Sequence, residues 1–186
     1  AFEGAIEAGA VIAREHTFVF DGFDVSSVTF SVCEDAEQQI VESDEFDNCG
    51  ESASGALLRP DLSVEAVVVP TVAVGDTDLT IEYTVANMGQ ASAPPNWTDV
   101  VALRPVAGGA EMQLAVAVHE QALPVGEPYT NSITVATPGR LSNGGYVAVI
   151  RTDADNAVPE EGDPANNTGI SQDTINITQP DRPNLI

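Results

Sequence analysis

The sequence predicts an all-β protein built from tandem antiparallel sandwiches, and three observations support this fold class. Val, Ile and Thr are abundant, and apolar residues recur at every second position in short runs. Clusters rich in Gly, Pro, Asn and Asp separate these runs and are typical of turns. One long acidic segment occurs twice, each time after such a run. Strands at this close spacing indicate sandwiches rather than βαβ units.

The predicted strands follow one another as runs of period two. In the clearest run, Leu79, Ile81, Tyr83 and Val85 point to one side and the polar residues between them to the other. The other runs are His16–Phe20, Ser27–Val32, Leu62–Val69, Thr98–Leu103, Met112–Val118, Thr130–Val135, Tyr146–Ile150 and Thr174–Ile177.

An internal repeat organises these strands. When Asp35 is aligned with Asp153, the acidic segment 33–49 falls on 151–167, and both copies follow a predicted strand. Pro159, Gly162 and Pro164 would break a helix, so the segment is predicted to be a structured loop between two strands. The other matched pairs are Ala36 with Ala154, Ile40 with Val158, Glu42 with Glu160, residue 45 with residue 163, and Asn48 with Asn166.

The repeat divides the chain into three segments. Residues 59–178 are predicted to form one complete module of about seven strands. Residues 1–58 correspond to the second half of another module, and residues 179–186 to a linker followed by the first strand of a third module or by a donor strand. A period of this length is typical of whole domains in series rather than of a solenoid.

Half a sandwich has no second layer over its apolar face. Leaving about six large apolar side chains in water would forgo roughly 10 kcal/mol. Either a longer polypeptide supplies the missing strands, or a neighbouring copy of the chain adds one. In the second case Pro183, Asn184, Leu185 and Ile186 are the donor, because "RPNL" repeats the "RPDL" that opens the complete module. Head-to-tail addition of this kind grows a fibre.

The complete module contains four distinctive motifs: Pro60–Asp61–Leu62, the "YTVANMG" run from Tyr83, Trp97–Thr98–Asp99 and the acidic loop "DADNAVPEEGDPANN". With these motifs the module resembles the CARDB family, the cell-adhesion-related module of bacterial and archaeal surface proteins. The resemblance implies an immunoglobulin-like sandwich, an extracellular or cell-surface location, and no catalytic residues. Pro159, Gly162 and Pro164 depart from the family's usual loop sequence.

Cys33 and Cys49 bracket the first acidic loop, and Arg151 and Asn167 take their places in the second. The two ends of a hairpin lie at a separation that suits a disulfide, which would contribute roughly 3 kcal/mol and indicate an oxidising compartment. Two free thiols or half of a metal site are the alternatives.

The second acidic loop also offers oxygen ligands for structural Ca²⁺, namely Asp153, Asp155, Glu160 and Asp163. The spacing does not fit an EF-hand, and the alternative is that these side chains cap tight turns. No other cofactor is expected. Asn96, Asn166 and Asn176 lie in N-x-S/T sequences and are candidate glycosylation sites.

Charge limits the partners. The chain has 29 Asp and Glu against six basic residues, for a net charge of −23, which argues against nucleic acid and anionic membranes. No apolar run is long enough to span a bilayer, and residues 1–11 do not read as a signal peptide. We therefore expect an extracellular structural or adhesive protein, a subunit of a fibre or stalk, and no enzyme. The alternative is a carbohydrate- or protein-binding module, which would present Trp97 with Tyr129 or Tyr146 to solvent.

Overall fold

The computed structural model describes residues 6–18, 26–44, 46–162 and 164–181, which contain strands and turns but no helix. No segment of the described chain therefore qualifies as a membrane-spanning helix. The all-β prediction is confirmed. The strands are β1 (Ser27–Val28), β2 (Ser31–Cys33), β3 (Cys49–Glu51), β4 (Gly55–Ala56), β5 (Leu62–Val68), β6 (Val72–Val74), β7 (Asp78–Asn87), β8 (Trp97–Pro105), β9 (Met112–His119), β10 (Pro128–Ala136), β11 (Gly144–Arg151), β12 (Thr168–Ile170) and β13 (Ile175–Thr178).

Strands β5 to β13 form a sandwich of two sheets. One sheet has the order β10-β7-β5, and the other has the order β6-β13-β11-β8-β9, with β12 added to the end of β11. All of these pairs are antiparallel except β13 with β6. The described part of this module therefore has nine strands, where about seven were predicted. The two additional strands are β6 and β12, which are only three residues long and show no alternation in the sequence.

The core lies between the two sheets and follows the period of two. Leu79, Ile81, Tyr83 and Val85 of β7 are buried, as predicted. On the outer face of the same strand, the Thr80 and Thr84 hydroxyls each bond the hydroxyl of a threonine on β10 at 2.9 Å. From the second sheet, Trp97, Val101, Leu103, Ala148, Ile150, Ile175 and Ile177 complete the core.

Strands β1 to β4 lie outside this sandwich. In the described chain, β1 pairs only with β4 and β2 only with β3, both antiparallel. The predicted run Ser27–Val32 is thus broken into two strands. The run predicted from His16 is wrong for residues 16–18, which form no strand, and its last two residues lie outside the described chain.

Candidate functional site

The two acidic loops have the same internal hydrogen bonds. The Asp35 carboxylate accepts the amides of Gln39 and Ile40, both at 2.8 Å. At the aligned positions, the Asp153 carboxylate accepts the amides of Ala157 at 2.7 Å and Val158 at 3.1 Å. In each loop one oxygen takes the first amide and the other oxygen takes the second, so each aspartate closes its own turn.

The backbone of the two loops also agrees. Asp35 and Asp153 have φ angles of 40° and 44°, and Gln38 and Asn156 both have 51°. Positive φ is uncommon for residues other than glycine, and aspartate and asparagine tolerate it best. The sequence repeat is therefore a repeat of conformation.

The strands beside the loops repeat the same bonds. The Ser52 hydroxyl accepts the amide of Phe30 at 2.9 Å, and the Ser171 hydroxyl accepts that of Ala148 at 3.1 Å. In return, the Phe30 and Ala148 carbonyls accept the serine amides at 2.8 and 2.9 Å. Residues 26–56 thus reproduce, in short pieces, the arrangement of β11, β12 and β13.

The strand register corrects the predicted alignment by one residue. Cys33 pairs with Cys49, whereas Arg151 pairs with Thr168 and not with Asn167. Likewise, Asn48 corresponds to Asn167, because their carbonyls accept the equivalent amides of Glu34 and Thr152. The second loop therefore carries one extra residue, which sequence identity alone could not place.

The structure joins Cys33 and Cys49 in a disulfide, with their Cα atoms 4.1 Å apart. It closes the first loop at the point where β2 and β3 face each other. In the second loop, the guanidinium of Arg151 instead forms an ion pair with the Glu111 carboxylate, with a nitrogen-to-oxygen distance of 2.5 Å. The position of the first cysteine is therefore held by an arginine that forms an ion pair with a residue outside the loop, and no bond of this kind closes the second loop at Thr168 within the described residues.

The carboxylates predicted as calcium ligands are directed at hydrogen-bond donors. The Asp155 carboxylate accepts the amide and the hydroxyl of Thr98, at 3.1 and 3.0 Å. Glu160 accepts the Leu62 amide at 2.5 Å and the Asn167 side-chain amide. Burial raises the pKa of Glu160 above its ordinary value, against the opposite effect of these bonds.

No group of three or more metal-binding side chains comes together within the described residues. Asp153, Asp155 and Glu160 instead hold turns and neighbouring strands, which was the alternative to calcium in the sequence analysis. Burial raises the pKa of Asp153, although two backbone amides lower it. Asp163 lies outside the described residues, so the calcium prediction itself stays a prediction.

The two copies differ most in the exposure of their apolar side chains. Val32, Ile40 and Phe30 are 66, 64 and 39% exposed. Their counterparts Ile150, Val158 and Ala148 are 0, 5 and 0% exposed, because they belong to the core that lies between the two sheets. We call the surface formed by Phe30, Val32, Ile40 and Gly50 the open face. Phe18 stacks on Phe30 at 5.6 Å and leaves the rest of this surface exposed.

A buried polar cluster, which the sequence analysis did not single out, joins the two sheets of the complete module. Asp99 on β8 is 1% exposed and accepts hydroxyl hydrogen bonds from Tyr83 at 2.9 Å, Tyr129 at 2.5 Å and Thr152 at 2.8 Å. Its position between the inward-facing Trp97 and Val101 is the signal that could have predicted its burial.

Burial and the charge of Asp99 together raise the pKa values of Tyr83 and Tyr129. His119 lies beside this cluster, with its ring 4.1 Å from that of Tyr129 and 4.2 Å from that of Trp97. Burial lowers the pKa of His119, although the charge of Asp99 acts in the opposite direction. The cluster therefore holds two neutral phenols and a carboxylate inside the sandwich.

The aromatic platform that would favour a binding module is absent from the described surface. Trp97 is fully buried, Tyr146 is 5% exposed, and Tyr129 is half-buried against His119. These rings belong to the core and not to a carbohydrate-stacking surface.

The three candidate glycosylation sites differ in the surroundings of the asparagine side chain. Asn166 donates to Asp61 at 2.9 Å, and Asn176 donates to the Thr71 carbonyl at 3.3 Å. Asn96 is exposed at a φ of 75°, in the turn before β8. Glycosylation stays a prediction at all three, and Asn96 and Asn176 are the exposed positions among them.

Two of the quoted family motifs lie against each other in the structure. The side-chain oxygen of Asn87 accepts the amides of Asp61 and Gly89, at 3.2 and 3.1 Å. A Cβ atom on Gly89 would lie 2.5 Å from the Arg59 carbonyl oxygen, so only glycine lets the two segments meet. This contact seats the start of β5 against the end of β7.

The family model of CARDB matches residues 59–170, which is more than half of the chain. The chain belongs to the CARDB family. CARDB domains are adhesion-related, immunoglobulin-like modules without catalytic function, and they are associated with cell-surface or extracellular proteins. The resemblance inferred from the sequence is confirmed, and so is the immunoglobulin-like sandwich.

Solved structures similar to this CARDB chain include two of a CARDB domain from Pyrococcus furiosus. The one in solution is 20% identical and covers 65% of this chain and 97% of its own, with a TM-score of 0.48. The crystal structure, in complex with di-metal ions, is 18% identical and covers 64% of this chain and 90% of its own, with a TM-score of 0.46. A β-glucosidase from Erythrobacter marinus is 10% identical, and the match covers 64% of this chain and 16% of the β-glucosidase, with a TM-score of 0.45. No curated protein matches the chain.

Proposed function

We propose that this CARDB chain is a structural part of a cell-surface fibre or stalk, in which β-sandwiches are joined in series by strand complementation. The open face carries this proposal. Residues 26–56 have the hydrogen bonds of the second half of a sandwich, yet Val32 and Ile40 are mostly exposed where their counterparts are buried. Such a face is stable once another layer covers it.

A neighbouring copy of the chain can supply part of that layer. In the complete module, Pro60, Asp61 and Leu62 lead into β5, which crosses the acidic loop. Pro183, Asn184 and Leu185 repeat this motif, and with Ile186 they lie outside the described residues. Each copy would then receive a strand at one end and donate one at the other, which extends the assembly head to tail.

The composition supports an extracellular setting. The disulfide between Cys33 and Cys49 suits an oxidising compartment. A net charge of −23 keeps the sandwiches soluble and apart from nucleic acid. The observed aromatic positions give no support to a carbohydrate-binding function, since Trp97 is fully buried.

The test is the state of assembly of the purified chain. We expect light scattering to show concentration-dependent growth and electron microscopy to show filaments with a regular axial repeat. Replacing Val32 by Glu places a charge on the open face and should prevent growth. Val118→Glu changes a valine that is 58% exposed on β9 and should leave growth unchanged. Monomers at every concentration would contradict self-assembly.

A further inference from the structure

The second acidic loop shows how a strand docks on a surface of this kind. The first residues of β5 run along it: the Leu62 amide donates to Glu160 at 2.5 Å, and the Val64 amide donates to the Asn166 carbonyl at 2.9 Å. The Val64 side chain then covers Gly169 on β12. A Cβ on Gly169 would lie 2.3 Å from a methyl carbon of Val64, so this strand requires glycine below it.

The first copy keeps the residues that receive the strand. By register, Gly50 takes the place of Gly169 and Asp47 that of Asn166, whose contact uses only its backbone carbonyl. Glu42 aligns with Glu160 in the loop. Gly50 pairs with Val32, as Gly169 pairs with Ile150, and paired residues project to the same face of a sheet. A Cβ on Gly50 would have no atom of the described residues within 4 Å. Nothing in the described part of the chain therefore requires glycine at this position.

We infer that the open face is a docking site for one kind of strand, with the pattern Pro-(Asp or Asn)-Leu-x-Val, as in Pro60–Val64, carried by another CARDB module. The leucine enters beside Ile40, its amide faces the loop, and the valine two residues later lies over Gly50. The inference rests on the proposed function and names the partner for the same surface. The glycine selects the ligand, because a β-branched residue fits there only if no side chain stands below it.

The experiment uses the full chain and a fluorescent peptide with the sequence of residues 59–68, followed by fluorescence anisotropy. We expect saturable binding. Gly50→Val should weaken it at least about tenfold, because the new side chain occupies the space of the peptide valine. Glu51→Val is the matched control, since the next residue of β3 projects to the opposite face. It should bind as the wild type does.

Two further peptides define the pattern. Replacing the leucine at position 62 by Asp in the peptide should abolish binding, because that side chain is fully buried in the complete module. A peptide of residues 182–186 should bind more weakly than the longer one, since it has no residue over Gly50.

Absence of saturable binding up to millimolar peptide, or equal binding to the Gly50→Val chain, would overturn this inference. Its failure is distinguishable from that of the proposed function. If filaments form but the peptide does not bind, the proposed fibre is supported and this docking mode is ruled out. Peptide binding without filaments would keep the docking site and remove self-assembly.

Discussion

The Tyr83 hydroxyl of β7 donates a 2.9 Å hydrogen bond to the Asp99 carboxylate of β8, across the interior of the CARDB sandwich. The two residues belong to different sheets, and both are almost completely buried. A buried carboxylate is costly unless its oxygens are hydrogen-bonded, and here Tyr129 and Thr152 complete the set. The bond therefore fixes how one sheet lies on the other.

Replacing Asp99 by Ala should destabilise the sandwich by about 3 kcal/mol or more. The change leaves the buried hydroxyl groups of Tyr83 and Thr152 and the half-buried one of Tyr129 without their acceptor, and each buried group costs about 1–3 kcal/mol. Chemical denaturation followed by the fluorescence of the buried Trp97 would measure the loss. Asp78→Ala, which removes an exposed carboxylate from β7, is the control and should change stability little. Equal stability of the two variants would contradict a role for the cluster.

The tyrosines of this cluster predict a loss of stability at alkaline pH. Because the folded pKa values of Tyr83 and Tyr129 are raised, the native protein keeps protons that the unfolded chain loses above its ordinary value of 10.0. The unfolded chain then binds fewer protons, so the free energy of unfolding falls as the pH rises above 10. Tyrosinate absorbance should increase together with unfolding.

In the double variant Tyr83→Phe, Tyr129→Phe, the free energy of unfolding should fall less steeply as the pH rises above 10. Tyr146→Phe is the control, because the Tyr146 hydroxyl donates to the Ser142 carbonyl and does not contact Asp99. If both tyrosines of the native protein ionise near pH 10, the ordinary pKa of tyrosine, this explanation fails.

The two equivalent glycines should respond differently to the same substitution. Gly169→Ala forces the new methyl group against Val64 and should destabilise the complete module by about 1–3 kcal/mol. Gly50→Ala meets no atom of the described residues and should leave the melting curve of the whole chain unchanged. Comparing the two melting curves gives the result directly, and a similar loss in both would show that Gly50 is already covered.

Removing the disulfide should affect only the first copy of the loop. The variant Cys33→Ser, Cys49→Ser releases a loop with a sequence separation of 16, whose closure is worth roughly 3 kcal/mol. Hydrogen exchange of the Gln39 and Ile40 amides should become faster, while that of Ala157 and Val158 stays the same. Slow exchange at all four positions would show that Asp35 holds its loop without the covalent bond.

The sequence predicted the parts of the fold that depend on periodicity and repetition. The alternation from Leu79 to Val85 set the inner face of β7, and the alignment of Asp35 with Asp153 predicted that one loop is used twice. Pro60–Leu62 and the run ending at Gly89 identified the family, and the structure shows that these motifs touch.

Other features depend on long-range contacts that no local pattern contains. Strands β6 and β12 are too short to show a period of two, and their pairing partners hold them in place. The partners of Asp99 lie on three other parts of the chain, so their convergence follows from sheet packing. The one-residue slip between Asn48 and Asn166 required the strand register, because adjacent asparagines fit the alignment equally well.

The parallel pairing of β6 with β13 has a mechanical consequence for a chain of such modules. β6 lies near the beginning of the module and β13 at its end, and the Gly75 and Asn176 amides bond between these segments at 2.8 Å. A pull on the two ends loads these bonds together, in shear along the strands, and does not open them one at a time. A tether built from this module would therefore resist tension until it yields abruptly, as force spectroscopy can measure.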